Sequence, residues 1–390
     1  MKSIKLFAII FFLVSVTKLF SGTYSGGDGS AGDPYQLSTP DDIDELMSTT
    51  GDWGEYFIVT QDIDCNGYSG WTGSNPNPIG NSTISFTGSF HGMGNEVSNI
   101  DINKSTEDYI GFFGIIDNNV QNLILNNVNA IGDDYVGCFC GKNNGTIQNC
   151  SATGDATAND DYAGGFCGKN NGTIQNCSAT GDATANDDYA GGFCALNSNG
   201  AIQNCSATGD VETNKYFAGG FCADNSDGTI KDCSATGDVE TQNNYAGGFC
   251  AYYYGGSIEN CYAAGSVDGP SNVGGFLGEY VLGSLSCCFW GFEGANLDDI
   301  GALGDNVNII QLNPSQMTNP ANFPCFDFEN VWVMGDYVKV EEGFTPYPNT
   351  PILRALVNGH IIPTLSEWAV IAFIGLLAGV GGWFVWRRIV

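Results

Sequence analysis

Residues Gly141–Cys167 read GKNNGTIQNCSATGDATANDDYAGGFC, and Gly168–Cys194 repeat the same 27-residue string without a change. Looser copies lie on both sides. A unit this short and this rich in glycine cannot bury a core alone, so the copies must stack on one another as a solenoid. The phenylalanines carry the register: Phe113, Phe139, Phe166, Phe193, Phe221, Phe249 and Phe276 follow one another at spacings of 26, 27, 27, 28, 28 and 27 residues. Length changes fall in loops, as between GKNNGT and the longer ALNSNGA, so these rings are expected to form one interior stack.

Within a copy the pattern has the period of a strand. In Cys205–Val211 the small or apolar residues Cys205, Ala207, Gly209 and Val211 alternate with Ser206, Thr208 and Asp210, which buries one face. AGGF (Ala218–Phe221) and the segment around Ile230 supply further strands, separated by a turn built from Asp224, Asn225, Ser226, Asp227 and Gly228. No helical stretch intervenes. The spacing therefore predicts an all-β chain, a right-handed parallel β-helix with a C-terminal closing segment and a single transmembrane helix. Leucine is too scarce in the copies for a leucine-rich horseshoe, and a propeller blade needs about 40 residues or more.

Composition narrows the partners. The chain has 390 residues, 43% hydrophobic, with a formal net charge of −31 and only 12 Lys+Arg. Enough apolar material exists for a core, and no arginine precedes Arg354. A phosphate backbone demands a basic footprint, so nucleic acid is not an expected partner.

Both ends carry export signals. Lys2 and Lys5 precede the apolar run Leu6–Val16, and Ser21 and Gly22 offer small residues for cleavage, so residues 1–22 read as a secretory signal peptide. Ala369–Trp386 is an uncharged 18-residue run followed by Arg387 and Arg388. That run can span a bilayer, with the arginines cytoplasmic and the body translocated.

The repeat YAGGFCxxNxGxIxNCxATGxV resembles the GLUG repeat of secreted bacterial surface proteins, with GGFCG or GGFCA where GGLVG is usual. Phe86–Ile102 is similar to the first rungs of such proteins, and CFWGFEG (Cys288–Gly294) with NPSQM and YPNTPIL to the stretch that closes their arrays. Ile362, Pro363, Thr364, Leu365, Ser366, Glu367 and Trp368, followed by the apolar run, Arg387 and Arg388, resemble the IPTL-type C-terminal sorting signal of Gram-negative bacteria; residue 369 is Ala where Gly is usual. The resemblance implies an exosortase-like processing enzyme as partner. It also implies a transient inner-membrane anchor and a final place on the cell surface or in the extracellular matrix. The chain then divides into the signal peptide, N-terminal rungs (23–108), the GLUG-like array (109–290), a closing segment (291–360) and the sorting signal (361–390).

Chemistry-bearing residues are mostly repeated ones. Cys140, Cys167, Cys194, Cys222 and Cys250 form one column, and Cys150, Cys177, Cys205, Cys233, Cys261 and Cys288 a second; no CxxC exists, so zinc and iron–sulfur sites lack their ligand spacing. Parallel in-register Cβ atoms would sit about 4.8 Å apart, wider than a disulfide prefers, which favours buried thiols. Asp155, Asp182, Asp210 and Asp238 form a carboxylate column, and Asp133–Asp134, Asp160–Asp161 and Asp187–Asp188 cluster before each Tyr. Ca²⁺ would relieve their repulsion, but no calcium-loop motif is present and a solvated acidic face is expected, with no cofactor. Asn149, Asn176, Asn204 and Asn260, with Asp232 substituting, are expected to hydrogen-bond as a stacked turn ladder.

A catalytic site needs asymmetric groups, and copied carboxylates with only His91 and His360 single out none, so no catalytic residue is assigned. The expected role is adhesin-like or structural, with a surface glycan or host-surface ligand. The alternatives are a carbohydrate-active β-helix lyase or glycosidase, and a Ca²⁺-dependent surface binder.

Overall fold

The computed structural model describes residues 22–291, 298–302, 309–334 and 351–353. The apolar run of the signal peptide, the sorting motif Ile362–Trp368, Arg387, Arg388 and the expected membrane span lie outside the described residues. Among the described residues no helix is long and apolar enough to cross a membrane.

The chain winds as a parallel β-solenoid whose regular part makes about seven turns. Two parallel sheets, of 21 and 15 short strands, wrap a common core. Register is set residue on residue. Ile147 pairs with Val120 on one side and Ile174 on the other, and the same column continues through Ile202, Ile230 and Ile258 to Leu285. Toward the N-terminus it runs through Phe90 and Phe57 to Tyr35. A one-residue slip would turn every apolar side chain outward, so the alternation alone locks the pairing.

The phenylalanine rings stack inside. Phe139, Phe166, Phe193, Phe221, Phe249 and Phe276 are fully buried, their centroids 4.5–4.9 Å apart and their planes within 9°. Phe113 differs. Its strand register pairs it with Cys140 rather than Phe139, so it heads the cysteine column, and its ring leans on Phe139 at 35°. Cys138 is the extra residue: Ile110 pairs with Val136, but Phe113 pairs with Cys140. The glycines before Phe166, Phe193, Phe221 and Phe249 are required by the next turn's backbone, since a Cβ on Gly192 would lie 2.2 Å from the carbonyl oxygen of Gly220.

Both ends of the rod are covered. At the N-terminus helix α1 (Pro40–Ser48) starts with a capping box between Thr39 and Asp42 and buries Ile43, Leu46 and Met47. At the other end Leu312, Met317, Phe323, Phe326 and Trp332 pack as a second apolar cluster against Tyr262 and Phe289. A disulfide between Cys287 and Cys325 fastens this cap to the last turns.

Candidate functional site

The repeated polar residues are occupied with one another. Asn122, Asn149, Asn176 and Asn204 all adopt left-handed backbone with φ of 53–55°, and the carboxamide nitrogens of Asn149, Asn176 and Asn204 each donate to the carboxamide oxygen one turn earlier at 2.9–3.0 Å. Asn260 donates to Asp232 in the same way. The ladder starts at His91, whose Nε2 lies 3.0 Å from Asn122 Nδ2 while Nδ1 accepts from the amide of Met93. It ends where Cys287 takes the ladder position, with φ 54°. A carboxylate cannot donate onward, and Asn204 Oδ1 is buried without a hydrogen-bond donor.

Sequence reading missed a second ladder. Asn143, Asn170, Asn197 and Asn225 are wholly buried and bond side chain to side chain at 2.7–2.9 Å. The only signal was the constancy of the first Asn in each KNNG-like turn.

The acidic columns are held by backbone. Asp155, Asp182 and Asp210 each accept from the amide of the next aspartate at 2.8–3.1 Å, which supports stacked carboxylates without a metal. Asp160, Asp161 and Asp187 do bring ligand oxygens within 4.8 Å of one another. Asp187, however, is already ion-paired with Lys215, which holds its carboxyl below the ordinary range. Asp160 shares a hydrogen bond with Asp187 and is pushed up.

Tyrosines make an outer stack. Tyr109, Tyr135, Tyr162, Tyr189, Phe217 and Tyr245 lie face to face at 4.6–5.1 Å with planes within 9°. Their faces cover one another, and Lys142 and Lys169 lie over the rings of Tyr109 and Tyr135. Beside them an outward-facing column runs Lys142, Lys169, Leu196, Asp224, Tyr252 and Glu279. Asp224 is 9% exposed, and burial pushes its carboxyl up to about 7 against a hydrogen bond from Ser226.

All cysteines except the disulfide pair are free and buried. Strand register stacks Cys140, Cys167, Cys194, Cys222 and Cys250 directly. In the second column Cys150, Cys177, Cys205, Cys233 and Cys261 each lie 3.1–3.2 Å from the carbonyl two residues before. Burial pushes the thiols of Cys138, Cys140, Cys150 and Cys194 upward, away from the reactive thiolate.

Clefts occur where the repeat has not begun. A non-repeated loop after Cys65 leaves the second sheet and joins the first at Ile79, which bridges Phe113, and it is pinned to α1: Tyr68 donates to Asp41 at 2.6 Å, and the amide and hydroxyl of Thr72 donate to Asp44 at 2.7 and 2.8 Å. One flank forms a cleft of about 380 Å³ that includes Trp53, Asn77, Asn81, Glu107, Asp108 and Tyr109. The other forms a more polar cleft of about 330 Å³ lined by Tyr68, Trp71, Asn75, Asn99, Asp101 and Asn127. Neither was legible as a site, because the loop's residues recur nowhere in the chain.

Comparison with known proteins gives the repeat and the tail. The GLUG motif matches residues 161–184, 188–212 and 242–268, and the IPTL-CTERM motif matches residues 362–388. The chain is 34% identical over 139 residues to Halomucin of Haloquadratum walsbyi, covering 34% of this chain and 2% of that protein. It is 31% identical over 154 residues to a protein described as a Gly-rich membrane protein in Evansella cellulosilytica, covering 37% of this chain and 17% of that protein. The chain thus spans a small part of these relatives. A solved chain from Bacteroides ovatus, described as a candidate immunoglobulin A1 protease, superposes with a TM-score of 0.57 at 20% identity, covering 85% of this chain and 95% of that one. At that identity the likeness is one of fold.

Proposed function

We propose that the protein is an exported, surface-displayed β-solenoid with an adhesin-like or matrix role. What carries this reading is the IPTL-CTERM motif at residues 362–388 behind a GLUG solenoid. An exosortase-like enzyme of a Gram-negative envelope would cut near this motif and release or transfer the body. The acidic rod then presents its faces to a surface glycan or host ligand, and many weak contacts along one rod add up by avidity. The array supports this role rather than catalysis, because its carboxamides and carboxylates bond to neighbouring turns.

The test is made in the native organism. Surface-shaved protein should lack the peptide Trp383–Arg388, and Pro363→Ala with Thr364→Ala should hold the protein in the inner membrane. Cells lacking the protein should attach less to a glycan-coated surface. An intact C-terminus on surface-exposed protein, or unchanged attachment, overturns the proposal.

A further inference from the structure

We infer that the cleft lined by Tyr68, Trp71, Asn75, Asn99, Asp101 and Asn127 binds an uncharged polysaccharide. This rests on reading the chain as a surface binder, and it assigns the contact to the non-repeated N-terminal turns. In the array the Tyr135–Phe217 rings stack face to face and cover one another. Trp71 and Tyr68 are half-buried, line the cleft and meet edge to face, with centroids 4.9 Å apart at 85°. The apolar face of a pyranose ring packs on such a surface, while its rim of hydroxyls needs planar polar partners. Asn99, Asp101 and Asn127 stand in the same cleft.

Those partners are pre-set. Asn127 donates to Asn99 at 2.7 Å, Asn99 donates to Asp64 at 2.7 Å, and Asn129 donates to Asp101 at 2.7 Å. These bonds fix the carboxamide planes and still leave lone pairs on the oxygens for sugar hydroxyls. The loop is held by Asp41 and Asp44 of α1, so little ordering has to accompany binding. A cleft of about 330 Å³ is at the small end for a ligand site, about 300–1,000 Å³.

Charge selects the polymer. A chain at −31 with no arginine before Arg354 repels uronates and sulfated glycans, and Asp101 places a carboxylate in the cleft itself. Extended polymer, rather than a single sugar, fits the surroundings: from Asp101 a column of acceptors continues through Asn129, Asp155, Asp182 and Asp210 along the rod.

The experiment uses the full chain in detergent against immobilised dextran, mannan, galactan and laminarin as uncharged polymers, with polygalacturonate as the anionic arm and chitosan as the cationic one. Saturable binding to at least one uncharged polymer is expected, none to polygalacturonate, and Trp71→Ala should weaken binding about tenfold or more. Trp71→Phe should recover most of it, and Tyr254→Ala, at an exposed ring in the array, should leave it unchanged. In the unmutated chain the bound polymer should protect the amides of residues 66–75 from hydrogen exchange, a readout that does not depend on any variant folding. Binding that survives Trp71→Ala, protection confined to the array, or retention on chitosan alone overturns the cleft assignment. Such results leave the surface-binder reading standing if deletion still lowers attachment, whereas unchanged attachment sinks that reading whatever the cleft binds.

Discussion

From Val136 to Gly278 each turn is nearly a copy of its neighbour, whereas the turns from Tyr24 to Asn103 share a register and little else. In the copied part many side chains meet their own kind one turn away. Phenylalanine stacks on phenylalanine, Asn bonds to Asn, and aspartate accepts from the amide of aspartate. In the unlike part the loop after Cys65 must find partners of a different kind on α1, and clefts open on both its flanks. Repetition makes a rod by turning side chains toward their counterparts in the next turn, and the two clefts described open beside the loop that does not repeat.

The widest gap between the two regions should appear at glycine. Gly192→Ala forces a methyl to within 2.2 Å of Gly220 oxygen in the facing backbone, and should cost about 5 kcal/mol or more. Gly54→Ala meets only Thr87 Oγ1 at 3.6 Å and should shift the melting temperature little. Equal shifts would show that the turns can part without penalty. Next comes the ring stack: Phe193→Ala removes a fully buried member and should cost about 3–5 kcal/mol by denaturant unfolding. Asp187→Ala, at a turn, should cost far less.

Acid and base should act on opposite ends of the comparison. Burial opposes ionisation of Asp42, but the amide of Ser38 and the hydroxyls of Ser25 and Thr39 outweigh it and hold the carboxyl below its ordinary value. Its contribution is present above the unfolded value of about 3.9 and is lost as pH falls through the folded one. Asp224 is raised to about 7, so its contribution is present below the unfolded value and is lost as pH rises through that range. The N-terminal turns should loosen on the acid side, read by Trp53 fluorescence, since Trp53 Nε1 donates to Leu46 oxygen on α1. Asp224→Asn should raise the array's melting temperature at pH 8 and leave it unchanged at pH 4. The smallest change expected is a gain: Asp232→Asn lets the ladder donate to the orphaned Asn204 Oδ1, and should add about 1 kcal/mol.

The array was legible because a column position keeps one environment through every turn, so sequence period and structural period coincide. The ring column shows the limit. Phe113 reads as its first member at a spacing of 26, but Cys138 adds a residue before Cys140, and strand pairing moves Phe113 one place over. Nothing in GFFG against GCFC distinguishes the two registers chemically. Helix α1 carried a visible signal in Thr39, Pro40 and Asp42 that the dominance of the repeat obscured. The clefts had no such signal, because their walls are set by contacts between residues 27 and 28 positions apart that occur once. The partner of Cys287 was equally hidden, since Cys325 lies 38 residues away outside any column.

That disulfide also sets where a pull on the rod would be felt. Tension entering from beyond Cys325, as a tethered chain would transmit it, crosses the Cys287–Cys325 bond and reaches the last turns directly. Residues 288–324, with Leu312, Met317 and Phe323 of the cap, sit in a covalent bypass and bear none of that load, while Phe326 and Trp332 lie on the loaded side of the bond. Peeling would otherwise begin at the final strand, where each pairing can be broken in sequence. With the bond intact, force arrives at the foot of the carboxamide ladder, so a reducing agent would convert a firm mooring into a frayed one without touching the body of the rod.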